Sequence, residues 1–97
     1  MTRSQFLDDL FGVITDRVER PRPGSYVGGL VSGEKGIDRV LEKVGEEATE
    51  FIIAVKNGDP SRTISEAADL QFHLMVALKA AGIEFSSVLD ELAARRH

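Results

Sequence analysis

Two short acidic runs carry the residue types best suited to chemistry: Glu46-Glu47-Ala48-Thr49-Glu50, and Glu66-Ala67-Ala68-Asp69. Between them, Asn57-Gly58-Asp59-Pro60 reads as a helix stop followed at once by a helix start. Gly58 suits the left-handed position just past a helix, Asp59 the N-cap and Pro60 the first helical residue. The flanking segments are therefore two helices joined by a short loop, which makes them antiparallel neighbours. Counted outward from Gly58, Glu50 and Glu66 each stand eight residues away, and Glu47 and Asp69 each stand eleven. The acids face one another in register across the hairpin wherever their helical faces agree.

At about 100° per residue, Ile37, Val40, Leu41, Val44, Ala48, Phe51, Ile52 and Val55 form one apolar stripe on the first helix. Glu47 borders that stripe, Glu50 lies beyond it on the same flank, and Glu46 is farther out. On the second helix Glu66, Asp69 and His73 follow i, i+3, i+7 spacing, with Arg62 one turn above. Nearly every other residue from Ala67 to Ala81 is apolar, so this helix is expected to be covered on most sides. Glutamates beside Lys43 would by themselves pass for a solvated face. Facing a second acidic cluster in an apolar helix, they read as a site, because buried carboxylates must bind protons or a cation. All-oxygen donors favour magnesium, or manganese, over zinc or copper, and magnesium commonly joins carboxylates to substrate phosphates. His73 is read as a hydrogen-bonded core residue with no catalytic role.

The elements that must position these groups read as all-α. Residues 4–19 form an amphipathic helix through Phe6, Leu7, Leu10, Phe11, Ile14 and Val18, and Arg20-Pro21-Arg22-Pro23-Gly24 ends it in extended chain. Ser25 to Gly36 is rich in glycine and lacks the spacing of a P-loop or dinucleotide fingerprint. It reads as a flexible connection whose backbone N–H groups, Ser25 and Lys35 are available to an anion. The hairpin helices are expected over 36–56 and 60–81, Gly82 ends the second, and Ser86 or Ser87 caps a last helix carrying Val88, Leu89 and Leu92. Ninety-seven residues, 42% of them hydrophobic, make one domain spanning 1–97, with a small core. The expected architecture is an antiparallel helical hairpin core with N- and C-terminal helices, its bundle completed by homodimerisation because the second hairpin helix needs more cover than one chain supplies.

A formal charge of −4 argues against a nucleic-acid binder, while leaving a nucleotide substrate open. The absence of cysteine excludes disulfides and zinc–thiolate sites. Acids where an export signal needs apolar residues, and no stretch of ~18 apolar residues, point to a cytoplasmic protein with no membrane partner.

Ser25-Tyr26 with Leu30, Gly36-Ile37, Lys43 to Glu50, Ser65 to Leu70 with His73-Leu74, Gly82-Ile83, and Val88 with Glu91-Leu92 together resemble the phosphoribosyl-ATP pyrophosphohydrolase family. That family lies within the all-α nucleotide pyrophosphatase superfamily, and the resemblance runs through nearly the whole chain. Gln71-Phe72 departs from the leucine and tyrosine common in the family before the histidine. The resemblance implies magnesium-dependent hydrolysis of phosphoribosyl-ATP to phosphoribosyl-AMP and pyrophosphate, the second step of histidine biosynthesis. It implies metal ligation by Glu47, Glu50, Glu66 and Asp69, with Glu46 and Glu47 as catalytic acids. Ser25, Tyr26, Lys35, Arg39 and Lys43 are the expected substrate contacts, and a separate phosphoribosyl-AMP cyclohydrolase the expected functional partner. A house-cleaning nucleoside triphosphate pyrophosphatase would share every acid, and a helical interaction module would carry them as surface.

Overall fold

The computed structural model describes residues 2–96, with the backbone only at Ser4. All regular structure among them is helical, in agreement with the all-α expectation: α1 (Arg3–Glu19), α2 (Tyr26–Ser32), α3 (Ile37–Lys56), α4 (Pro60–Ala80) and α5 (Phe85–Ala94). A capping box between Thr2 and Gln5 opens α1, and the helix buries Phe11 and Ile14. These two join Val27 and Leu30 of α2, Val40 of α3, and Met75 and Val76 of α4 in one core.

The α3–α4 turn has the expected chemistry. Gly58 is left-handed at φ 67°, its N–H bonds the Val55 carbonyl at 3.0 Å, and Asp59 accepts the Arg62 N–H at 3.1 Å. These bonds satisfy carbonyls and N–H groups that helix ends leave open, and so fix the hairpin angle.

Three sequence expectations are corrected. The glycine-rich connection contains a helix, α2, because Ser25 caps it through the Gly28 N–H and because Val27 and Leu30 are buried in the core. Gly28 lets the chain pass closely there: a Cβ would stand 3.0 Å from the Arg22 nitrogen and 3.2 Å from the Pro21 Cα. Second, α5 begins at Phe85, with Glu84 in the cap position and neither Ser86 nor Ser87 capping. The paired bonds Gly82 N–H to Lys79 and Ile83 N–H to Leu78, both 2.9 Å, close α4 so tightly that Phe85 enters the next helix first. Its ring stacks on Phe11 at 5.7 Å.

Third, cover on α4 is uneven: from Ala67 to Ala81 most residues are buried or half-buried, while Leu74 is 39% exposed and Ile64, ahead of that stretch, 72%. Half of the apolar stripe of α3 is also open, with Ile37, Leu41, Ile52 and Val55 between 40% and 59% exposed. What α3 buries is Val40, Glu47 and Ala54, a line at seven-residue steps that runs along one edge of the stripe and shares Val40 with it. The hairpin thus packs through its acidic flank and leaves apolar surface outside. The total accessible surface is 6687 Å², against roughly 5,500 Å² for a folded monomer of this mass. Among the described residues, no single helix is long and apolar enough to cross a membrane.

Candidate active site

The buried line of α3 carries Glu47 into the hairpin opposite Glu66 of α4, and these residues are only 6% and 8% exposed. One oxygen of each has a cation: Glu47 Oε1 lies 3.2 Å from Lys43 Nζ, and Glu66 Oε1 accepts from Arg62 Nη2 at 3.1 Å. The second oxygens, Glu47 Oε2 and Glu66 Oε2, are buried with no hydrogen-bond partner. Asp69, one turn after Glu66 and exposed, brings a third carboxylate, so that oxygens of all three lie within 4.8 Å of one another. Buried carboxylate oxygens without donors are costly, and three converging on one point repel one another. An all-oxygen set of this kind fits a hard divalent cation.

Glu50 and Glu46 stand outside that group of three. The exposed Glu50 is close enough to Glu66 to act on its titration. The Glu66 carboxyl is held above the usual glutamate range by burial first, then by the neighbouring Glu50 carboxylate, with Arg62 opposing and the charge of Glu47 adding. Glu46 is on the outer side of α3, where it takes Lys43 at 3.3 Å and Arg39 at 3.4 Å. Lys43 therefore bridges Glu46 and Glu47, and its ammonium is raised above the ordinary lysine value, chiefly by Glu47.

Beside the acids, α2 and the turn after it form an open cavity of about 440 Å³. Four of the five expected substrate contacts line it, namely Ser25, Tyr26, Lys35 and Arg39, together with Gly29, Leu30, Gly33 and Glu34. Lys43 is not in its wall and instead bridges toward the acids. Lys35 and Arg39 both hold Glu42, at 2.9 and 3.2 Å. The side chains Lys35, Glu42, Arg39, Glu46, Lys43 and Glu47 thus alternate in charge from the cavity to the acidic cluster. His73, buried as expected, bonds the Asp69 carbonyl through Nδ1 and the Tyr26 hydroxyl through Nε2, each at 2.7 Å.

The profile of the phosphoribosyl-ATP pyrophosphohydrolase family matches residues 7–96. The chain belongs to that family. Proteins named phosphoribosyl-ATP pyrophosphatase from Methanosphaerula palustris and Methanoculleus marisnigri are 59% and 60% identical to it, over 99% and 93% of this chain and 97% and 93% of their own lengths. A protein of the same name from Clostridium botulinum is 45% identical over 99% of this chain and 86% of its own. Membership makes the chain a hydrolase, and the acids and cavity are the parts of it with matching chemistry.

Within this pyrophosphohydrolase, sequence reasoning did not find two polar partners. Arg62 was placed above the acidic stripe without a role, although its i, i+4 spacing to Glu66 signals the ion pair that forms. Glu42 was not singled out; its i+3 spacing from Arg39 is a signal, whereas its bond to Lys35 depends on the turn before α3.

Proposed function

We propose that the chain hydrolyses phosphoribosyl-ATP to phosphoribosyl-AMP and pyrophosphate, the second step of histidine biosynthesis, with Mg²⁺ as its cofactor and Mn²⁺ as a substitute. The observation that carries this reading is the pair of partnerless buried oxygens, Glu47 Oε2 and Glu66 Oε2, with an Asp69 carboxylate in reach. Glu47, Glu66 and Asp69 hold the cation, and Glu50, beside Glu66, completes the acidic set. When bound, the cation neutralises phosphate oxygens and makes water a better nucleophile.

The chain's own groups do the rest. Lys43 ties Glu47 to Glu46, the half-exposed carboxylate that orients water and takes its proton once substrate draws Arg39 off its other oxygen. Lys35 and Arg39 draw the anionic substrate into the cavity, releasing Glu42 as phosphate oxygens replace it. Ser25 and Tyr26 line the same cavity, and Ser25 also caps α2.

The active form is a cytoplasmic homodimer. Its interface is the open stripe of Ile37, Leu41, Ile52 and Val55, with Ile64 and Leu74 of α4. The excess surface, about 1,200 Å², exceeds the ~800 Å² per partner of a standard interface. The substrate is a small nucleotide and not a nucleic acid, and a separate phosphoribosyl-AMP cyclohydrolase consumes the product.

Pyrophosphate release from phosphoribosyl-ATP, with and without Mg²⁺ and beside ATP and the other nucleoside triphosphates, tests the reading. Metal-dependent turnover of phosphoribosyl-ATP alone is expected. Turnover of ordinary triphosphates in its place would move the chain to the house-cleaning branch, and no turnover at all would remove the catalytic reading.

A further inference from the structure

The bonds of His73 have a direction. A carbonyl oxygen only accepts, so the contact between His73 Nδ1 and the Asp69 carbonyl places the ring proton on Nδ1. In the neutral ring Nε2 then has only a lone pair, and the Tyr26 hydroxyl donates to it across 2.7 Å. The single hydroxyl proton of Tyr26 is spent inward on α4. None is left for a phosphate oxygen, which offers lone pairs alone.

What Tyr26 presents outward is its ring. The residue is 53% exposed on the wall of the 440 Å³ cavity, beside Leu30 and Gly29. The ring is held by edge-on packing with His73 at 5.7 Å and 88°, by Phe72 at 6.4 Å, and by the hydroxyl bond to a side chain that is itself 6% exposed. No side chain at Gly29 intrudes on that wall. Lys35 and Arg39 stand elsewhere in the same cavity. One cavity therefore combines a fixed aromatic plane with two cations, and a planar base joined to a phosphate matches both.

We propose that Tyr26 reads the base of the nucleotide by stacking, that His73 is the positioning residue that holds its ring, and that the phosphate contacts in this cavity belong to Lys35 and Arg39. The proposal deepens the nucleotide reading above and rests on it. A ring already locked by His73 loses little conformational entropy when a base settles on it, so the positioning acts on affinity.

Calorimetric binding of AMP, ribose 5-phosphate and inorganic pyrophosphate to the full chain separates base from phosphate recognition. Tyr26→Leu is expected to weaken AMP about tenfold, the scale of one aromatic–base stack, while ribose 5-phosphate and pyrophosphate stay within about twofold. Tyr26→Phe keeps the ring without its anchor and is expected to weaken AMP about threefold. His73→Asn retains an N–H for the Asp69 carbonyl and, being shorter, places no acceptor at the position of Nε2, so it should match Tyr26→Phe, and the double variant should be no worse than either. Unchanged AMP binding in Tyr26→Leu, equal weakening of all three ligands, or no AMP binding to the wild type overturns the assignment to Tyr26. Additive losses in the double variant overturn the positioning role of His73. Failure of the pyrophosphohydrolase reading is seen separately, as a wild type that leaves phosphoribosyl-ATP intact, and the AMP comparison still decides the role of Tyr26.

Discussion

Replacing Glu47 by Gln should reverse the stability order of wild type and variant when magnesium is added. Glu47 is 6% exposed, with Oε1 at 3.2 Å from Lys43 Nζ and Oε2 buried without a partner. Leaving such a charged oxygen unpaired costs about 1–3 kcal/mol, and the amide removes the charge at almost the same shape. Part of that gain is offset by the weaker bond to Lys43, which retains Glu46 at 3.3 Å and can still donate to the amide oxygen. A net gain of about 1 kcal/mol is the expectation without metal, which raises the Tm of a chain this size by about 4–8 °C. With magnesium at ten times its dissociation constant, the wild type gains about 1.4 kcal/mol by mass action, while the variant, short of one ligand, gains little. Scanning calorimetry in chelator and then in magnesium should therefore show the variant melting above the wild type in the first condition and below it in the second. Pyrophosphate release by the variant should fall by at least about a hundredfold. A variant that melts lower without metal and still responds to magnesium would refute both the strain at Oε2 and the ligation.

Three further outcomes are expected. Because the folded-state pKa of Glu66 is raised above the ordinary value of 4.5, its contribution to stability is present in acid and is lost as pH rises through the folded value. Without metal, the margin by which Glu66→Gln exceeds the wild type should hold at neutral pH and shrink as pH falls through that value toward 4.5, with magnesium affinity weakening as pH falls through the same value; a margin independent of pH across that range would count against the assignment. Glu42→Gln should free Lys35 and Arg39 for substrate and lower KM by up to about fivefold with kcat unchanged, as befits exposed ion pairs; a higher KM would mean that Glu42 holds the two cations in their working position. Leu41→Arg with Ile52→Arg should convert a dimer into a monomer in light scattering, and a wild type already monomeric at micromolar concentration would dismiss the interface.

The local elements were legible because their causes are local. Gly58, Asp59 and Pro60 mark a turn by backbone conformation, capping and a missing N–H, so the α3–α4 hairpin and the register of its acids follow from counting. The all-α architecture follows from helical periodicity in the same way, and the resemblance to the family rests on the acids together with residues along nearly the whole chain, Ser25-Tyr26 among them. By contrast, the helix of residues 26–32 was hidden by its glycines. Propensity counts Gly28 and Gly29 against a helix, whereas the burial of Val27 and Leu30 in a core built from three other helices favours one.

Orientation about the helix axis was decided only in three dimensions. Periodicity placed Glu47 at the border of an apolar stripe; packing turned that border inward and left Ile37, Leu41, Ile52 and Val55 outside, with Oε2 of Glu47 and of Glu66 lacking partners. The same packing set Glu50 beside Glu66 and outside the group formed by Glu47, Glu66 and Asp69. The hydrogen bond joining Tyr26 to His73 spans 47 positions and depends on how α2 settles against α4. Sequence alone determined which residues occur and how they repeat along each helix, because capping and periodicity act within a few residues. Tertiary structure decided which flank is buried and which polar atoms meet, because those depend on contacts between helices far apart in the chain.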